Sequence, residues 1–464
     1  MDKLHQHTII NQQEPKNKMS IYQFTDSKDS SKEYKYKVLV YPNITFQKDL
    51  EKDSYVVVLG NIIKEISKVR DDIHWTIFSP KHIDSLQFEN THQLILPLPS
   101  YPNAMRLHFD QKRIIKGIDF RHNDFDIVYS HLPEHTLQLK NVFLNETNIE
   151  PAFVGYTHWT EFPEITNYKE TVMDINFLGL LAMEKCGINT QGQKNLVLKN
   201  AKTHFNDDVV NRLDEILEPQ YLGWEIPKYE KQTTDKKIIV FNHRPHAYKN
   251  YPWFLKQMDR LWRIRKDFEV WVPLAESKDR EYINIDKYDR VGYFSKLSSC
   301  RVGVCAKQKY SGWAVSATDG MSVGVPYVFS DDDYYHELAG DDGVYYYDVD
   351  DALIDTIEPF LDDDLLRERY SEKALNRFEK GKWGTAIHQF NNMFDGAIDN
   401  LPMLKNDTDT YKKVLDFIHK KKSVTKADIL NMLNWGVRIS FSGYRNRLRN
   451  EPTIRFTKDR YEVR

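Results

Sequence analysis

The sequence predicts an α/β fold with two Rossmann-like halves, followed by a small C-terminal unit of a different pattern. Three observations predict it: two series of short apolar strands alternate with helical windows, a polar segment near 221–235 separates them, and the pattern changes after Leu404. Such alternation is typical of parallel sheets built from βαβ units. Two such halves face a cleft, where doubly wound sheets usually bind ligands.

The bulk composition is that of a globular protein. The chain has 464 residues, of which 41% are hydrophobic and 29% charged, enough for two or three domains with their own cores. No apolar run approaches the ~20 residues of a membrane span, and the start carries no signal-peptide pattern. Three cysteines fit no metal or disulfide framework. We therefore expect no membrane contact and a cytoplasmic location, in the host cell if the chain is viral.

The predicted domains follow these patterns. Residues 1–34 are polar and predict a flexible leader. The first half, 35–222, has strand candidates at 37–41, 74–78, 94–96, 125–129 and 152–156. The second half, 223–404, has strand candidates at 237–241, 268–272, 301–304, 325–329 and 343–347. Residues 405–464 form the third unit.

One stretch of the second half, 311–330, combines features of a ligand site. Gly312 permits a tight turn, a helix begins after it, and residues 324–326 (GVP) end that helix before the next strand. A helix N-terminus that faces a cleft offers free N–H groups to a diphosphate. Asp319 offers a carboxylate to ribose hydroxyls. An ordinary loop–helix–strand unit has the same local pattern and is the alternative.

The order of landmarks in this half resembles the large retaining GT-B glycosyltransferase family (the family 4-like C-terminal half) that includes sucrose and glycan synthases. There a Gly-Phe-Gly-Leu turn leads to Glu-Ala-Met, a Gly-x-Pro-Val-Val strand and a downstream Glu-Leu. The counterparts here are 312–315 (GWAV), 319–321 (DGM), 324–328 (GVPYV) and 337–338 (EL). The resemblance covers roughly 235–395 and implies a GT-B fold.

The resemblance also implies a nucleotide-sugar site that requires no cofactor. Arg244 and Lys249 match the Arg and Lys that grip the donor diphosphate in the family, as paired cations should. The candidate donor-binding residues are Arg244, Lys249, Phe294, Gly312, Trp313, Ala314, Val315 and Asp319. The family pairs two glutamates eight positions apart. Here the second is Asp319 and the first falls on Ser311, so we expect altered sugar contacts, with backbone groups of 313–315 taking part.

Three consecutive aspartates, 331–333, follow a predicted strand of this half. Carboxylates in such a cluster suit a divalent cation, and a solvated loop rim is the alternative. Because no metal is expected at this place in a GT-B-like domain, we interpret the cluster as a loop rim and predict no metal site.

The acceptor side should lie in the first half, where polar clusters follow two predicted strands at 130–134 and 157–161. Carboxyl ends of parallel strands face the cleft. We predict that His158 and Glu161 orient or deprotonate an acceptor hydroxyl; a structural, hydrogen-bonded histidine is the alternative. Because retaining enzymes of this fold commonly lack an obvious protein nucleophile, none is predicted.

The C-terminal unit is basic. From Lys405 onward, fifteen Lys or Arg residues face seven Asp or Glu, a net charge of +8, which leaves −11 on the rest of the chain. Its pattern predicts a winged helix: helices at 411–418, 427–433 and 440–450 and a hairpin at 454–463, with Thr425 as a helix cap. We predict DNA contacts at Lys426, Ser442, Arg445, Arg447 and Arg449. A protein-interaction module is the alternative.

A donor site joined to a DNA-binding unit predicts transfer to DNA. The chain resembles the functional class of bacteriophage enzymes that glycosylate hydroxymethylated pyrimidines in DNA. The expected partners are a UDP-sugar and double-stranded DNA with a modified base, and retention is expected. Two alternatives stay open: a cytosolic polysaccharide or protein glycosyltransferase with a partner-binding tail, and a DNA-binding regulator that senses a nucleotide sugar.

Overall fold

A computed structural model describes most of the chain outside the first 33 residues. The described residues are 34–44, 50–52, 54–96, 108–118, 125–146, 151–157, 160, 170–308, 313–346, 352–399, 408–433, 448–449, 451–457 and 460–464. Within these ranges the chain forms three sheets, two of them parallel. No helix of the described ranges is long and apolar enough to cross a membrane.

The N-terminal sheet contains seven described strands, all parallel. They are β1 (Tyr36–Tyr41), β2 (Ile73–Ser79), β3 (Thr91–Ile95), β4 (Ile127–His131), β5 (Ala152–Thr157), β6 (Lys185–Ile188) and β7 (Leu217–Pro219). The helices are α1 (Ser54–Val69), α2 (Gln111–Gly117), α3 (Thr136–Glu146), α4 (Glu170–Leu181), α5 (Gln191–Ala201) and α6 (Asp207–Ile216). The strand order is β3-β2-β1-β4-β5-β6-β7.

The second sheet contains six described strands, also parallel. They are β8 (Lys237–Val240), β9 (Phe268–Trp271), β10 (Ile283–Asn284), β11 (Val302–Cys305), β12 (Tyr327–Ser330) and β13 (Val344–Tyr346). The helices are α7 (Tyr251–Ile264), α8 (Arg290–Leu297), α9 (Val315–Ser322), α10 (Asp333–Ala339), α11 (Ala352–Asp362), α12 (Asp364–Gly381) and α13 (Trp383–Asp399). The strand order is β10-β9-β8-β11-β12-β13.

Helices cover both faces of each sheet, and this explains the apolar strand patterns. In β1, Val38 and Val40 join one core cluster while Leu39 joins the cluster on the opposite face, and all three are fully buried. In β8, Ile238 and Ile239 divide between two clusters in the same way. A strand buried on both faces needs a continuous apolar run. The predicted α/β architecture is confirmed.

Helix α13 connects the two halves. Its apolar stripe, which includes Trp383, Phe390 and Phe394, packs into the core of the N-terminal sheet. The Phe394 ring lies 5.3 Å from the ring of Trp75 and 6.0 Å from that of Tyr129. The sequence pattern assigned this helix to the second half, 223–404. In space it belongs with the first sheet, because its buried stripe faces that sheet.

The C-terminal unit consists of α14 (Thr408–Lys421), β14 (Ser423–Thr425), α15 (Lys426–Met432), β15 (Ile454–Thr457) and β16 (Arg460–Val463). The strands are antiparallel in the order β14-β16-β15. The predicted hairpin and the predicted Thr425 cap, which forms a capping box with Asp428, are confirmed. Of the predicted helix at 440–450, only residues 448 and 449 lie within the described ranges.

This unit docks against the amino-terminal edge of the first sheet. The Arg449 guanidinium lies 3.5 Å from the carboxylate of Asp126 and donates to the main-chain oxygen of Lys35. Asp126 immediately precedes β4 and Lys35 immediately precedes β1. The cleft-facing carboxyl ends of these strands lie at the opposite edge.

Candidate nucleotide-sugar site

Two cations follow the carboxyl end of β8. Arg244 is exposed. Lys249 is partly buried and donates to the side-chain oxygen of Gln308 over 2.6 Å. Burial lowers the pKa of Lys249 to about 8, and the charge of Arg244 acts in the same direction. Neither cation forms an ion pair with a carboxylate in the part of the chain that the structure describes, so both are suited to an anionic ligand.

Helix α9 begins beside the end of β8. It starts at Val315 without a capping side chain. The Val315 N–H donates to the oxygen of Trp313 over 3.1 Å in a tight turn, and Ala314 is buried. The Trp313 ring packs 5.4 Å from Tyr221, and the Val315 side chain is 53% exposed. An uncapped helix start carries partial positive charge.

Asp319 lies in the second turn of α9. The Tyr293 hydroxyl donates to its carboxylate over 3.3 Å, and Asn242 donates to that hydroxyl over 2.8 Å. Burial raises the pKa of Asp319 to about 7, although Arg290 and the Tyr293 hydroxyl act in the opposite direction. The carboxylate is therefore held in place from the end of β8, with little charge compensation.

Phe294 is a core residue, which corrects its prediction as a donor contact. Its side chain is fully buried in the second half, 5.2 Å from the ring of Tyr293 and 6.4 Å from that of Tyr229. The preceding residue, Tyr293, carries the polar group that reaches Asp319. The helical pattern around 290–297 identifies a helix here, but it does not identify which side chain turns toward the site.

Glu337, one of the family landmarks, joins the two halves. Its carboxylate accepts the main-chain N–H groups of Gln191 and Gly192, each over 2.6 Å, at the start of α5. The Tyr221 hydroxyl donates to the same carboxylate over 3.2 Å. The Arg377 side chain donates to the main-chain oxygen of Glu337 over 2.8 Å. These contacts fix the start of α5 in the first half beside α10 in the second.

The carboxyl edge of the first sheet contains a cavity that the sequence analysis missed. It lies between the ends of β1 and β2, helix α2 and the segment after β4. Within it, Tyr41 and His135 share a hydrogen bond of 2.9 Å, and Asn43 donates to Glu134 over 3.2 Å. Asn43 and Leu132 both adopt positive φ, at 45° and 73°. Backbone strain of this kind concentrates at functional sites.

Arg113 of α2 lines this cavity. Its guanidinium donates to the main-chain oxygen of Leu96 and lies 5.6 Å from the Phe78 ring centroid. Asp110 uses its carboxylate to accept the Arg113 main-chain N–H over 3.0 Å. Burial lowers the pKa of Arg113. Since Arg113 forms no ion pair with a described carboxylate, it gives the cavity a cation that a ligand can reach.

Solved structures share this arrangement of two sheets. The sucrose-phosphate synthase of Thermosynechococcus elongatus is similar with a TM-score of 0.58 and 12% identity, over 78% of this chain and 98% of that one. An E. coli structure described as trehalose-6-phosphate bound with UDP-2-fluoro glucose has a TM-score of 0.57 and 12% identity, over 79% and 100%. Anabaena HepE in complex with UDP and glucose has a TM-score of 0.56 and 12% identity, over 78% and 100%.

The chain has the GT-B fold. These similarities confirm the fold that the order of landmarks predicted. No protein family and no curated protein matches the sequence. In a GT-B fold the two carboxyl edges face each other across the cleft, which sets the Arg244 side opposite the Arg113 side.

The predicted catalytic pair, His158 and Glu161, lies outside the described residues, as does Gly312 of the donor segment. Thr160, between His158 and Glu161 in sequence, is buried and accepts a hydrogen bond of 3.3 Å from Gln193 of α5. The start of α5 is also where Glu337 binds. The role of the pair stays a prediction.

Two of the three aspartates at 331–333 form hydrogen bonds with neighbouring side chains. Asp331 contacts the imidazole of His336 over 2.6 Å. Asp332 accepts from Ser330 and Tyr334 over 2.5 and 3.3 Å, and Asp333 begins α10. These contacts organise the turn into α10.

The predicted DNA contacts divide into three groups. Lys426 is the first residue of α15 and is partly exposed. Ser442, Arg445 and Arg447 lie outside the described residues. Arg449 corrects the prediction, because its side chain is only 5% exposed and its guanidinium is engaged with Asp126, which is fully buried.

Proposed function

We propose that the chain is a glycosyltransferase that uses a nucleotide-sugar donor. One observation carries this proposal: in a GT-B fold, two cations that have no carboxylate partner among the described residues, an uncapped helix start and the Asp319 carboxylate meet at the carboxyl edge of the second sheet. Arg244 and Lys249 would bind the diphosphate and stabilise it as the leaving group. Asp319 would accept hydrogen bonds from the ribose hydroxyls. No metal or cofactor is needed for this chemistry.

A UDP-sugar is the proposed donor. Two of the similar structures contain UDP or a UDP-sugar analogue, and their two-sheet arrangement matches this chain. The Arg113 cavity is the proposed acceptor site, since it lies at the opposing carboxyl edge. His158 and Glu161 remain the proposed catalytic pair, because the neighbouring Thr160 bonds to Gln193 near the start of α5.

A hydroxymethylated pyrimidine in phage DNA is the finer acceptor proposal. It rests on the +8 charge of residues 405–464 and on their helix–strand–helix–hairpin order, which is typical of a winged helix. The target base would have to be flipped into the cleft. Because the unit docks at the amino-terminal edge, β1 separates it from the cleft by about 20 Å, at ~3.3 Å per residue. Its role would be to tether the duplex, through Lys426, Ser442, Arg445 and Arg447.

The activity test uses the purified chain with UDP-glucose, UDP-galactose or UDP-N-acetylglucosamine. Each is incubated with duplex DNA containing either hydroxymethylated or plain pyrimidines, and the DNA is digested to nucleosides for mass spectrometry. A sugar adduct on the hydroxymethylated base alone is the expected result. UDP release without an adduct would mean that the sugar is transferred to water, which supports the donor assignment, rejects DNA as the acceptor and leaves a polysaccharide or protein as the acceptor to test. Binding of a UDP-sugar without turnover on any acceptor would favour the regulator that senses a nucleotide sugar.

The tether is tested with a K426E/R445E/R447E variant, which leaves the Arg449–Asp126 pair in place. Its affinity for duplex DNA should fall while its affinity for UDP stays unchanged, because phosphate contacts dominate DNA binding. A control variant reverses three exposed lysines of the second half, Lys228, Lys256 and Lys278. Equal losses in both variants would contradict the tether.

A further inference from the structure

Three side chains form a hydrogen-bonded chain that ends at the start of α9. The Cys305 sulfur lies 3.1 Å from His243 Nε2, and His243 Nδ1 lies 2.6 Å from the Ser316 hydroxyl. Cys305 ends β11, His243 follows the neighbouring strand β8, and Ser316 lies in the first turn of α9. These hydrogen bonds therefore run from the buried sheet to the surface where the donor site begins.

Burial fixes the protonation of the two inner groups. It lowers the pKa of His243 to about 3, with the charge of Lys249 acting in the same direction, so the imidazole is neutral at pH 7 and carries a single N–H. It also raises the pKa of the Cys305 thiol well above its usual value, so the sulfur keeps its proton. A neutral thiol and a neutral imidazole each have one proton to donate.

These protons favour one direction of donation along the three side chains, from Cys305 through His243 to Ser316. With the thiol donating to Nε2, the imidazole proton is on Nδ1 and is donated to the Ser316 oxygen. The Ser316 hydroxyl proton is then directed away from the imidazole. The reverse order would aim an N–H at a thiol sulfur, which is a weak acceptor. An anion beside Ser316 would favour the first order further.

The main chain of Ser316 is also held in place. Its carbonyl oxygen accepts hydrogen bonds from Asn242 over 2.7 Å and from Tyr327 over 3.1 Å. Asn242 and His243 directly precede Arg244 in sequence. Ser316 is partly exposed, whereas His243 and Cys305 are buried. One short segment after β8 thus fixes the serine and supplies the exposed arginine.

We propose that the Ser316 hydroxyl binds the donor diphosphate, and that His243 and Cys305 are positioning residues that direct its proton toward the ligand. This inference rests on the proposed nucleotide-sugar site. It adds to that site a diphosphate-binding residue that no landmark of the sequence indicated. The serine would donate to a phosphate oxygen at the partially positive N-terminus of α9. The imidazole never exchanges a proton with the substrate.

The test compares diphosphates with nucleosides. Isothermal titration of the wild-type chain with UDP, ADP and GDP identifies the tightest ligand, which is then compared with its nucleoside. In Ser316→Ala, diphosphate affinity should fall about tenfold, the effect of one hydrogen bond to a charged group. Nucleoside affinity should stay within about twofold of wild type on the same basis. Equal losses for both ligands, or no loss, would overturn the inference.

Two substitutions of His243 separate positioning from packing. Asn places an N–H donor the same number of bonds from the main chain as Nδ1, so H243N should keep diphosphate affinity. Leu removes the donor, so H243L should lose as much as S316A. The double variant S316A/H243L should lose no more than S316A alone, because the two residues act through one interaction. Additive losses, or a loss in H243N equal to that in H243L, would contradict the positioning role.

The control is Ser322→Ala, in the same helix. The Ser322 hydroxyl donates to the main-chain oxygen of Asp319 over 2.6 Å, so its removal tests the loss of a serine from α9. Diphosphate affinity should be unchanged in S322A, and circular dichroism should show every variant folded. If the wild-type chain binds none of the three diphosphates, the proposed function fails and the inference with it. If it binds one but S316A binds equally well, only the inference fails.

Discussion

Arg244 was predicted to bind the donor diphosphate and Arg449 to contact DNA, and the structure gives these two arginines opposite surroundings. Arg244 is exposed at the carboxyl edge of the second sheet and has no described carboxylate partner. Arg449 is 5% exposed at the amino edge of the first sheet, and Asp126 lies 3.5 Å away. The residue type is the same in both cases. The position of a countercharge within the chain decides whether a cation serves a ligand or the fold.

The two surroundings have different energetic consequences. A buried ion pair costs desolvation to form, and removing one partner leaves an uncompensated buried charge. Asp126 also accepts the Lys37 main-chain N–H over 2.9 Å, and the Phe456 ring lies 4.9 Å from the Arg449 guanidinium. Arg449 therefore holds the C-terminal unit on the first sheet. Arg244 instead adds positive charge beside Lys249, and a bound anion would relieve that repulsion.

The largest expected effect is on stability. Arg449→Ala should lower the free energy of unfolding by about 3 kcal/mol, because it leaves Asp126 buried without its cation. Urea unfolding followed by circular dichroism measures this, and UDP affinity should not change. The control is Arg455→Ala in the same hairpin, where an exposed pair with Glu462 should contribute about 1 kcal/mol or less. Equal losses in R449A and R455A would contradict the structural role assigned to the buried Arg449–Asp126 pair.

Continuous apolar runs and landmarks close together in sequence made the fold and the donor side predictable. The runs at 37–41 and 237–241 correspond to β1 and β8, since strands buried on both faces are apolar throughout. The predicted helix after Gly312 corresponds to α9, and it brings Asp319 near the end of β8. These features depend on local sequence, which a single chain displays.

The features that were missed depend on contacts between distant segments. The Arg113 cavity draws on the ends of β1 and β2 together with α2, and no local pattern joins these segments. The Arg449 prediction needed the position of Asp126, which belongs to another unit. Phe294 was predicted as a donor contact, whereas the neighbouring Tyr293 carries the group that reaches Asp319. The helical pattern there gave no indication of which face meets α9. Long-range packing decides each case.

The second prediction concerns Arg244, where we expect a loss of ligand affinity and little change in stability. Arg244→Ala should weaken UDP binding by tenfold to about a hundredfold, the range for a lost charge-assisted hydrogen bond. The free energy of unfolding should change by less than about 0.5 kcal/mol, as at other exposed positions. Titration calorimetry and urea unfolding measure the two quantities. Arg263→Ala, an exposed arginine on α7, should change neither. A loss of stability in R244A as large as that in R449A would contradict the comparison.

The smallest expected effect is a change of uridine affinity with pH, and it compares two carboxylates. Asp126 has an arginine partner, whereas Asp319 has mainly a tyrosine hydroxyl. Uridine is the suitable ligand, because it has no titrating phosphate. Burial raises the pKa of Asp319 to about 7, and ribose hydroxyls need the ionised form as acceptor. Uridine affinity should therefore fall as the pH drops through this value, by about tenfold between pH ~8 and pH ~6.

Variants of Asp319 and of its hydrogen-bond donor Tyr293 test this pH dependence. The groups that face the carboxylate are Tyr293, Arg290 and Tyr327. Burial raises the pKa of both tyrosines well above the usual value, so neither tyrosine titrates between pH ~6 and pH ~8. Asp319→Asn should bind uridine weakly and equally across this interval. In Tyr293→Phe the carboxylate loses a donor that favours its charged form, so the midpoint should move to higher pH. Uridine affinity that stays constant in the wild-type chain would show that Asp319 does not contact the ribose, and would leave Arg244 and Lys249 as the charges that define the site.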